Sequence, residues 1–313
     1  MTKRAKFARI ALFLSLLAVV WFAIAMLGAR AGLWKPLTGF STMTMSAMRP
    51  LGEALPLPML PTVLGVLALA ALVATLAKAP RQGWFAALIA FAIPAAIFAG
   101  LLGLRSQAES VPFIHDVATD TADPPAFSDE MLARREADEA RNQLNPYDVP
   151  LDTLEPWQGQ ASVAGKTMAQ LIAEGYPDLD LTTLTSDVEP ATALKAIERA
   201  METRGFKDVA RDEDAGRVEG TAVVFWYGFR DDVVGRVRPG EDGGSVIDFR
   251  SVSRVGLSDL GVNAARVADL RAGVADILSN DRLRSELSRD EEETEEGIVV
   301  ETASDESAEA ETE

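Results

Sequence analysis

A dense group of polar residues in the last third of the chain is the first place where the sequence suggests chemistry. Its members lie in the segment DFRSVSRVGLSDLGVNAARV and are Arg250, Arg254, Ser258, Asp259, Asn263 and Arg266. Guanidinium groups bind carboxylates and phosphates through paired hydrogen bonds, and a helix N-terminus adds unpaired backbone N–H groups. One interpretation is therefore a binding site for an anionic group, such as a phosphate or carboxylate headgroup.

The competing interpretation of the same residues is an internal network of ion pairs and helix caps. In that network Asp231, Asp232 or Asp259 would neutralise the arginines. Polar groups that become buried at a strand–helix junction need hydrogen-bond partners, and they usually find them inside the protein. The sequence favours this second interpretation and keeps the first as an alternative.

Composition and spacing argue against the common catalytic sites. The chain has no cysteine and one histidine, which excludes cysteine nucleophiles, zinc–thiolate sites and multi-histidine metal sites within one chain. The segment AGKT at 164–167 resembles part of a phosphate-binding loop, but Gln160 stands where that motif needs a glycine. We therefore predict no catalytic residue, no metal and no cofactor, and the sequence leans against an enzyme.

The single histidine and a short aromatic stretch are two further candidates for a functional role. His115 has Asp116 and Asp120 nearby, but no nucleophile elbow completes a triad, so local hydrogen bonding is favoured over a metal or catalytic role. Trp226, Tyr227 and Phe229 stand together at the end of a predicted strand. Core packing is the favoured interpretation of these aromatic residues, and a ligand or membrane-interface contact is the alternative.

The elements that position the arginine cluster are four strands between two amphipathic helices. One helix runs to Thr203 from a cap at Ser186 or Asp187, and the other covers 263–278. Turn signals separate strands predicted at 206–211, 217–227, 232–238 and 245–255. Short links between them imply an antiparallel meander. The predicted fold class is an α+β domain, a meander sheet with helices on one face, preceded by three transmembrane helices.

Side-chain alternation along the last predicted strand divides its residues between two faces. Asp248, Arg250 and Arg254 share one face because successive side chains of a strand point to opposite sides. Ile247 and Phe249 point to the other face, toward the helices.

Three long uncharged runs precede this domain, at about 10–29, 58–77 and 84–104. Each reaches the roughly 20 residues that a helix needs to cross about 30 Å of hydrocarbon. The first run is too long for the apolar region of a signal peptide, which favours a retained span. Because no run contains an ionisable residue, a transporter or channel role is disfavoured.

The formal net charge of -17 is unevenly distributed. Residues 1–109 carry ten basic and two acidic side chains, 110–287 carry 19 and 33, and 288–313 carry one and 12. Basic residues before the first span and at 78–83 predict a cytoplasmic N-terminus, with the part after Arg105 periplasmic or extracellular at a bacterial plasma membrane. The predicted organisation is a membrane domain over 1–109, a soluble domain over 110–280 and a disordered acidic tail over 281–313.

Several blocks of the soluble part resemble those of one family. They read IHDVATD, DPPAF, GYPDL, GRVEGTAVVFWYGFRDDVVGRVRP and DFRSVSRVGLSDLGVNAARV. Over about 112–278 the chain resembles the domain-of-unknown-function 1499 family, and the last block is the most specific. The resemblance implies a domain coupled to membrane spans or export signals in bacteria, and it implies no reaction.

These observations together predict an integral plasma-membrane protein with a non-catalytic envelope binding or assembly domain. The predicted surroundings are the lipid bilayer, with an envelope lipid or a membrane protein as partner and no nucleic acid, because the soluble part is acidic. The alternative is an envelope hydrolase or an anionic-ligand-binding protein that uses the region 254–259.

Overall fold

A computed structural model of the chain describes residues 1–53, 55–285 and 287. Chain contacts divide it into two compact units. The first comprises Met1–Val111 together with Val224–Phe229, and the second comprises Pro112–Val223 and Arg230–Glu313. Residues 281–285 are helical and Leu287 is buried in the core of the second unit. The remainder of the predicted acidic tail, 288–313, lies outside the described residues.

Three long helices build the first unit, α1 (Lys3–Arg30), α2 (Met59–Leu76) and α3 (Trp84–Ser110). Each is long and apolar enough to cross a membrane, which confirms the three predicted spans and indicates a membrane protein. Between the first two spans, β1 (Pro50–Gly52) and β2 (Leu55–Pro58) pair antiparallel.

Small residues line the contacts among these three helices. Alanine side chains let helix backbones approach closely, which is the usual way in which membrane helices pack. The buried alanines are Ala8, Ala11, Ala68, Ala71, Ala87 and Ala90. One polar contact adds to them, since the Ser15 hydroxyl donates to the carbonyl oxygen of Ala90 at 3.0 Å.

The second unit is built on one antiparallel sheet. Its strands are β3 (Asp116–Ala118), β4 (Leu184–Ser186), β5 (Lys207–Asp212), β6 (Arg217–Val223), β7 (Arg230–Pro239) and β8 (Ser245–Ser253). The order is β3-β8-β7-β6-β5, and β4 also pairs with β8. The four predicted strands therefore form the predicted meander, although β6 ends at Val223 and not at Tyr227. The pairing of β5 with β6 has a register irregularity between Lys207 and Ala210.

Two amphipathic helices cover one face of this sheet, α6 (Pro190–Thr203) and α7 (Val262–Ser279). Ile197 of α6 and Leu270 of α7 share the main core with Phe249 of β8, which confirms the predicted α+β class. A Cβ added at Gly235 would lie 2.8 Å from Cγ2 of Ile197, so only glycine lets α6 lie this close to the sheet.

The start of α6 differs from the predicted one. Its N-cap is Glu189 and not Ser186 or Asp187, because Ser186 belongs to the short strand β4. The proline that follows the cap occupies the first turn, where a missing N–H costs nothing.

The opposite face of the sheet also has a helix packed on it, from the part of the chain that lies between β3 and β4 in the sequence. Helix α4 (Asp129–Ala137) begins at Ser128, whose hydroxyl accepts a hydrogen bond from the backbone N–H of Met131 at 3.0 Å. Met131 packs with Val234 and Val252 in a small apolar cluster. Further along, α5 (Met168–Gly175) begins with a capping box between Thr167 and Gln170.

Candidate functional site

Two adjacent aspartates on β7 point to opposite faces of the sheet, and each binds one arginine of the predicted cluster. On the face that α4 covers, Asp232 accepts hydrogen bonds from Arg254, with Nη2 2.6 Å from Oδ1 and Nε 2.9 Å from Oδ2. Arg135 of α4 donates to the same carboxylate at 2.6 Å, and the Thr221 hydroxyl donates at 3.0 Å. Asp232 is fully buried and Arg254 is 5% exposed, so this pair lies inside the protein.

Asp231 faces the other way and holds the second arginine. It accepts a hydrogen bond from Arg266 of α7, with Nη2 2.7 Å from Oδ2. Arg266 also donates to the side-chain oxygen of Asn263 at 2.6 Å and to the Ser251 hydroxyl at 3.0 Å. The Asn263 amide in turn donates to the carbonyl oxygen of His115 at 3.0 Å. This network joins α7 to β8 and to the residue before β3.

Arg250 forms a third, separate ion pair. Its Nη2 and Nε atoms lie 2.7 Å and 3.0 Å from the two carboxylate oxygens of Asp116, which is fully buried. The Tyr147 hydroxyl donates to the same carboxylate. Burial, strengthened by the nearby Asp116 charge, raises the pKa of Tyr147 well above its usual value, which keeps the phenol protonated as a donor. Aromatic rings of Tyr147 and Phe127 have centroids 5.3 Å and 5.9 Å from the guanidinium carbon.

The two remaining residues of the cluster stand at the start of α7. The Asp259 carboxylate accepts hydrogen bonds from the backbone N–H groups of Gly261 at 2.8 Å and Asn263 at 2.7 Å, a capping role that the sequence predicted. The Ser258 hydroxyl accepts from the backbone N–H of Leu260 at 3.4 Å. Burial outweighs these hydrogen bonds and raises the pKa of Asp259 to about 6.

The six predicted residues therefore divide between the two faces of the sheet. Asn263 and Arg266 lie together beside Asp259 on the α7 side. Arg250 and Arg254 lie on the face that α4 covers, as strand alternation predicted, and each of these arginines is paired with a different aspartate. The guanidinium groups do not converge on one point where a single anion could contact all three.

A third buried aspartate completes the charged layer on the α4 side. Asp248 is fully buried, and its Oδ2 lies 2.8 Å from Nη2 of Arg238 and 3.3 Å from Nη2 of Arg236. Both arginines also contact Asp120, at 3.0 Å and 3.2 Å. Partial burial acts to raise the pKa of Asp120, but a hydrogen bond from the backbone N–H of Asp123 and the two nearby arginines favour the ionised carboxylate, so the pKa is lowered.

His115 is a buried polar residue close to this network. It is 1% exposed, and its ring stacks on that of Trp157 at 5.1 Å with a 7° interplanar angle. Neither ring nitrogen makes a hydrogen bond of good geometry with the part of the chain that the structure describes, although backbone groups of Leu257 and Gln143 lie close enough to interact with the ring. Burial lowers the pKa of His115, and the nearby charge of Asp116 and carbonyl groups of Leu257 and Gln143 only partly offset this. The imidazole is therefore neutral near pH 7.

The buried hydroxyl of Tyr176 also makes no hydrogen bond among the described residues. Tyr176 directly follows α5, and burial, assisted by the charge of Asp259, raises its pKa. A buried polar atom without a partner points to strain, a bound water or ion, or a role in chemistry. The sequence held only one signal for these buried residues, the single histidine, because Trp157 and Tyr176 lie in irregular segments without periodicity.

Comparison with known families decides the relationship of the chain. The model of a family described as a protein of unknown function, DUF1499, matches residues 116–274, which is half of the chain. The chain belongs to the DUF1499 family. No curated protein and no solved structure matches it.

The DUF1499 match contains the whole arginine–carboxylate network and leaves the three spans outside. It begins at Asp116, the partner of Arg250, and ends within α7, after Arg266. The ion pairs therefore lie within the part of this chain that matches the family, and the three membrane helices lie outside it. In the described residues, no group of three or more histidine, aspartate or glutamate side chains has the geometry of a metal site.

Proposed function

We propose that this protein holds a non-catalytic DUF1499 domain at the outer face of a bacterial plasma membrane, where the domain binds a membrane protein of the envelope. One observation carries the proposal. The arginines that could have formed an anion site are each matched by a buried carboxylate, Arg254 by Asp232 and Arg250 by Asp116. A guanidinium that already makes two charge-assisted hydrogen bonds to a buried carboxylate has little capacity left for a phosphate.

The net charge of the soluble part indicates the chemistry of the partner. Residues 110–287 carry 33 acidic and 19 basic side chains, and internal ion pairs leave this excess of acidic groups unchanged because each pair removes one group of either sign. The domain surface is therefore anionic, which repels acidic lipid headgroups and attracts a basic protein surface. Of the two partner classes that the sequence suggested, an envelope lipid and a membrane protein, we favour the protein.

Co-purification of the full chain from its native membranes tests this proposal. The chain is extracted in mild detergent at low ionic strength, and bound proteins and lipids are identified by mass spectrometry. We expect a membrane protein with a basic extramembrane surface that is released as salt is raised, because surface charge interactions are screened over about 10 Å at 0.1 M salt. Stoichiometric recovery of an anionic lipid with no protein would contradict the proposal.

The same preparation tests the alternative of an envelope hydrolase. It is incubated with ester, phosphate and glycosidic substrates, and we expect no turnover. Turnover that disappears in Asp231→Asn or Asp259→Asn, while the fold is retained, would replace the binding proposal with the hydrolase. Two such carboxylates would have to lie roughly 5–10 Å apart across a cleft in a glycosidase.

A second candidate function, binding of a small polar molecule, rests on the unbonded side chains of His115 and Tyr176. A neutral imidazole and a protonated phenol offer two donors and two acceptors to a small guest. Because His115 is the only histidine, its imidazole NMR signals can be assigned without ambiguity. A bound guest would move these signals on addition of extract fractions, and unchanged signals would remove this candidate.

A further inference from the structure

The segment Val224–Phe229, which joins β6 to β7, belongs to the unit that contains the three membrane helices. The backbone N–H of Val224 donates to the carbonyl oxygen of Phe229 at 2.8 Å, which closes a four-residue loop. Tyr227 and Gly228 have φ angles of 59° and 71°, so the chain reverses through two left-handed residues. We call this segment, VFWYGF, the aromatic tip; it carries no charged side chain.

Half of the aromatic tip is buried within its unit. The Tyr227 hydroxyl lies 2.6 Å from Oγ1 of Thr44, and the Tyr227 ring packs edge-on against Phe40 at 5.6 Å. Phe229 packs in the same cluster, which also contains Ala25 and Ala29 of α1. For these residues the core-packing interpretation of the aromatic stretch is correct.

The other half of the tip is exposed to a degree that is unusual for aromatic rings. Phe225 is 61% exposed and Trp226 is 62% exposed, and the two rings contact each other at 5.4 Å. Phe13 and Phe85, which lie on membrane-spanning helices, have similar exposed fractions of 63% and 60%. In the described part of the second unit, by contrast, the exposed large apolar side chains are aliphatic ones, Leu132, Val223 and Val262.

Contacts with Arg30, the last residue of α1, place these two rings at the end of a span. Its Nη1 donates to the carbonyl oxygens of Phe225 at 2.7 Å and Val224 at 3.4 Å. Its guanidinium carbon also lies 5.2 Å from the centroid of the Phe225 ring. A charged residue that ends an apolar span lies at the level of the lipid headgroups, where tryptophan is also enriched. The tip is therefore held at the depth at which amphipathic aromatic rings are most stable.

We propose that Phe225 and Trp226 insert into the headgroup region of the bilayer, so that the aromatic tip is a membrane anchor besides the three spans. The occupant of this exposed surface is lipid, because the rings share the unit of the membrane helices and lie beside the end of α1. Insertion removes two exposed rings from water without burying a charged side chain. Arg30 acts as a positioning residue that fixes the tip at this depth.

Spin labelling of the full chain tests the proposal, and the absence of cysteine allows a single label in each variant. Trp226→Cys is labelled and reconstituted in vesicles of phosphatidylcholine and phosphatidylglycerol. The matched control is Asp214→Cys, an exposed position in the turn between β5 and β6. We expect the label at 226 to be several-fold more accessible to oxygen, relative to a water-soluble nickel chelate, than the label at 214.

Two outcomes would overturn the proposal. Nickel accessibility at 226 equal to that at 214 would place the tip in water, and shielding from both reagents would place it against protein. If the labelled variant fails to fold, Trp226→Phe provides a second measurement in the same vesicles. Iodide in the buffer quenches the fluorescence of tryptophans that are exposed to water. If Trp226 lies in the membrane, the iodide-quenchable fluorescence should be equal in the variant and the unmodified chain. A smaller quenchable fluorescence in the variant would show that Trp226 lies in water.

Discussion

Arg254 and Asp232 form a two-point ion pair on the face of the sheet that α4 covers, with donor–acceptor distances of 2.6 Å and 2.9 Å. Because the carboxylate is fully buried, its charge depends on arginine partners for solvation. Removing one partner of such a pair typically costs about 3–5 kcal/mol.

We therefore expect Arg254→Ala to lower the free energy of unfolding by about 3 kcal/mol, at the low end of the typical range, because Arg135 still contacts Asp232. The measurement is denaturant unfolding of the full chain in detergent. Arg230→Ala is the matched control, since this arginine is half exposed and pairs with Asp138, and exposed pairs contribute about 0–1 kcal/mol. A stable Arg254→Ala protein that has lost its cellular role would instead support the anion-binding alternative.

The pKa of His115 is lowered by burial, which makes its contribution to stability pH-dependent. The unfolded chain takes up a proton near pH 6.5, the usual histidine value, whereas the folded chain does so only at lower pH. Stability is therefore lost as pH falls below about 6.5. NMR titration should give an imidazole midpoint below this value. A midpoint at or above it would show that a partner solvates the ring.

Asp259 acts in the opposite direction. Its pKa is raised to about 6, so the folded chain holds a proton that the unfolded chain releases near pH 4. Its contribution to stability is fully present below about pH 4 and is lost as pH rises through 6. We expect Asp259→Asn to remove this decline between pH 4 and 6, as measured by unfolding at several pH values.

The two groups can be separated because their effects on the pH profile have opposite signs. His115→Gln should leave a chain that becomes more stable on acidification from pH 7 to 4, through Asp259. Asp259→Asn should leave a chain that becomes less stable over the same range, through His115. Identical pH profiles for the two variants would contradict both assignments.

The predicted membrane orientation can be measured directly. Four basic residues precede the first span and two lie at 78–83, so we expect the N-terminus in the cytoplasm and the DUF1499 domain outside. A protein that fluoresces only in the cytoplasm, fused after residue 287, should remain dark. The same reporter fused before Met1 is the positive control, and fluorescence from the C-terminal fusion would reverse the orientation.

The sequence predicted those elements that leave a regular pattern of apolar residues along the chain. Apolar runs of span length predicted α1, α2 and α3, and alternation predicted β5 to β8. The edge strands β3 and β4 were missed because each has three residues and is defined by its pairing with β8. Strands this short hold no readable alternation.

The site was predictable only where partners are near in sequence. Asp231 and Asp232 were recognised as candidates to neutralise the arginines, and alternation explains why they serve Arg266 and Arg254 on opposite faces. The partner of Arg250 is Asp116, 134 residues away, and local pattern holds no information on such a pairing. The stacking of Trp157 on His115 was inaccessible for the same reason.

The strand order of the second unit also limits how other chains can approach it. On one side the sheet ends in β3 and β4, which are too short to template a strand, and on the other it ends in β5. The regular pairing of β5 with β6 is interrupted between Lys207 and Ala210, and Asp208 of β5 has a φ angle of 53°. Charged and irregular edges resist the addition of a foreign strand. The edges of the sheet thereby disfavour both edge-to-edge aggregation and binding by strand addition.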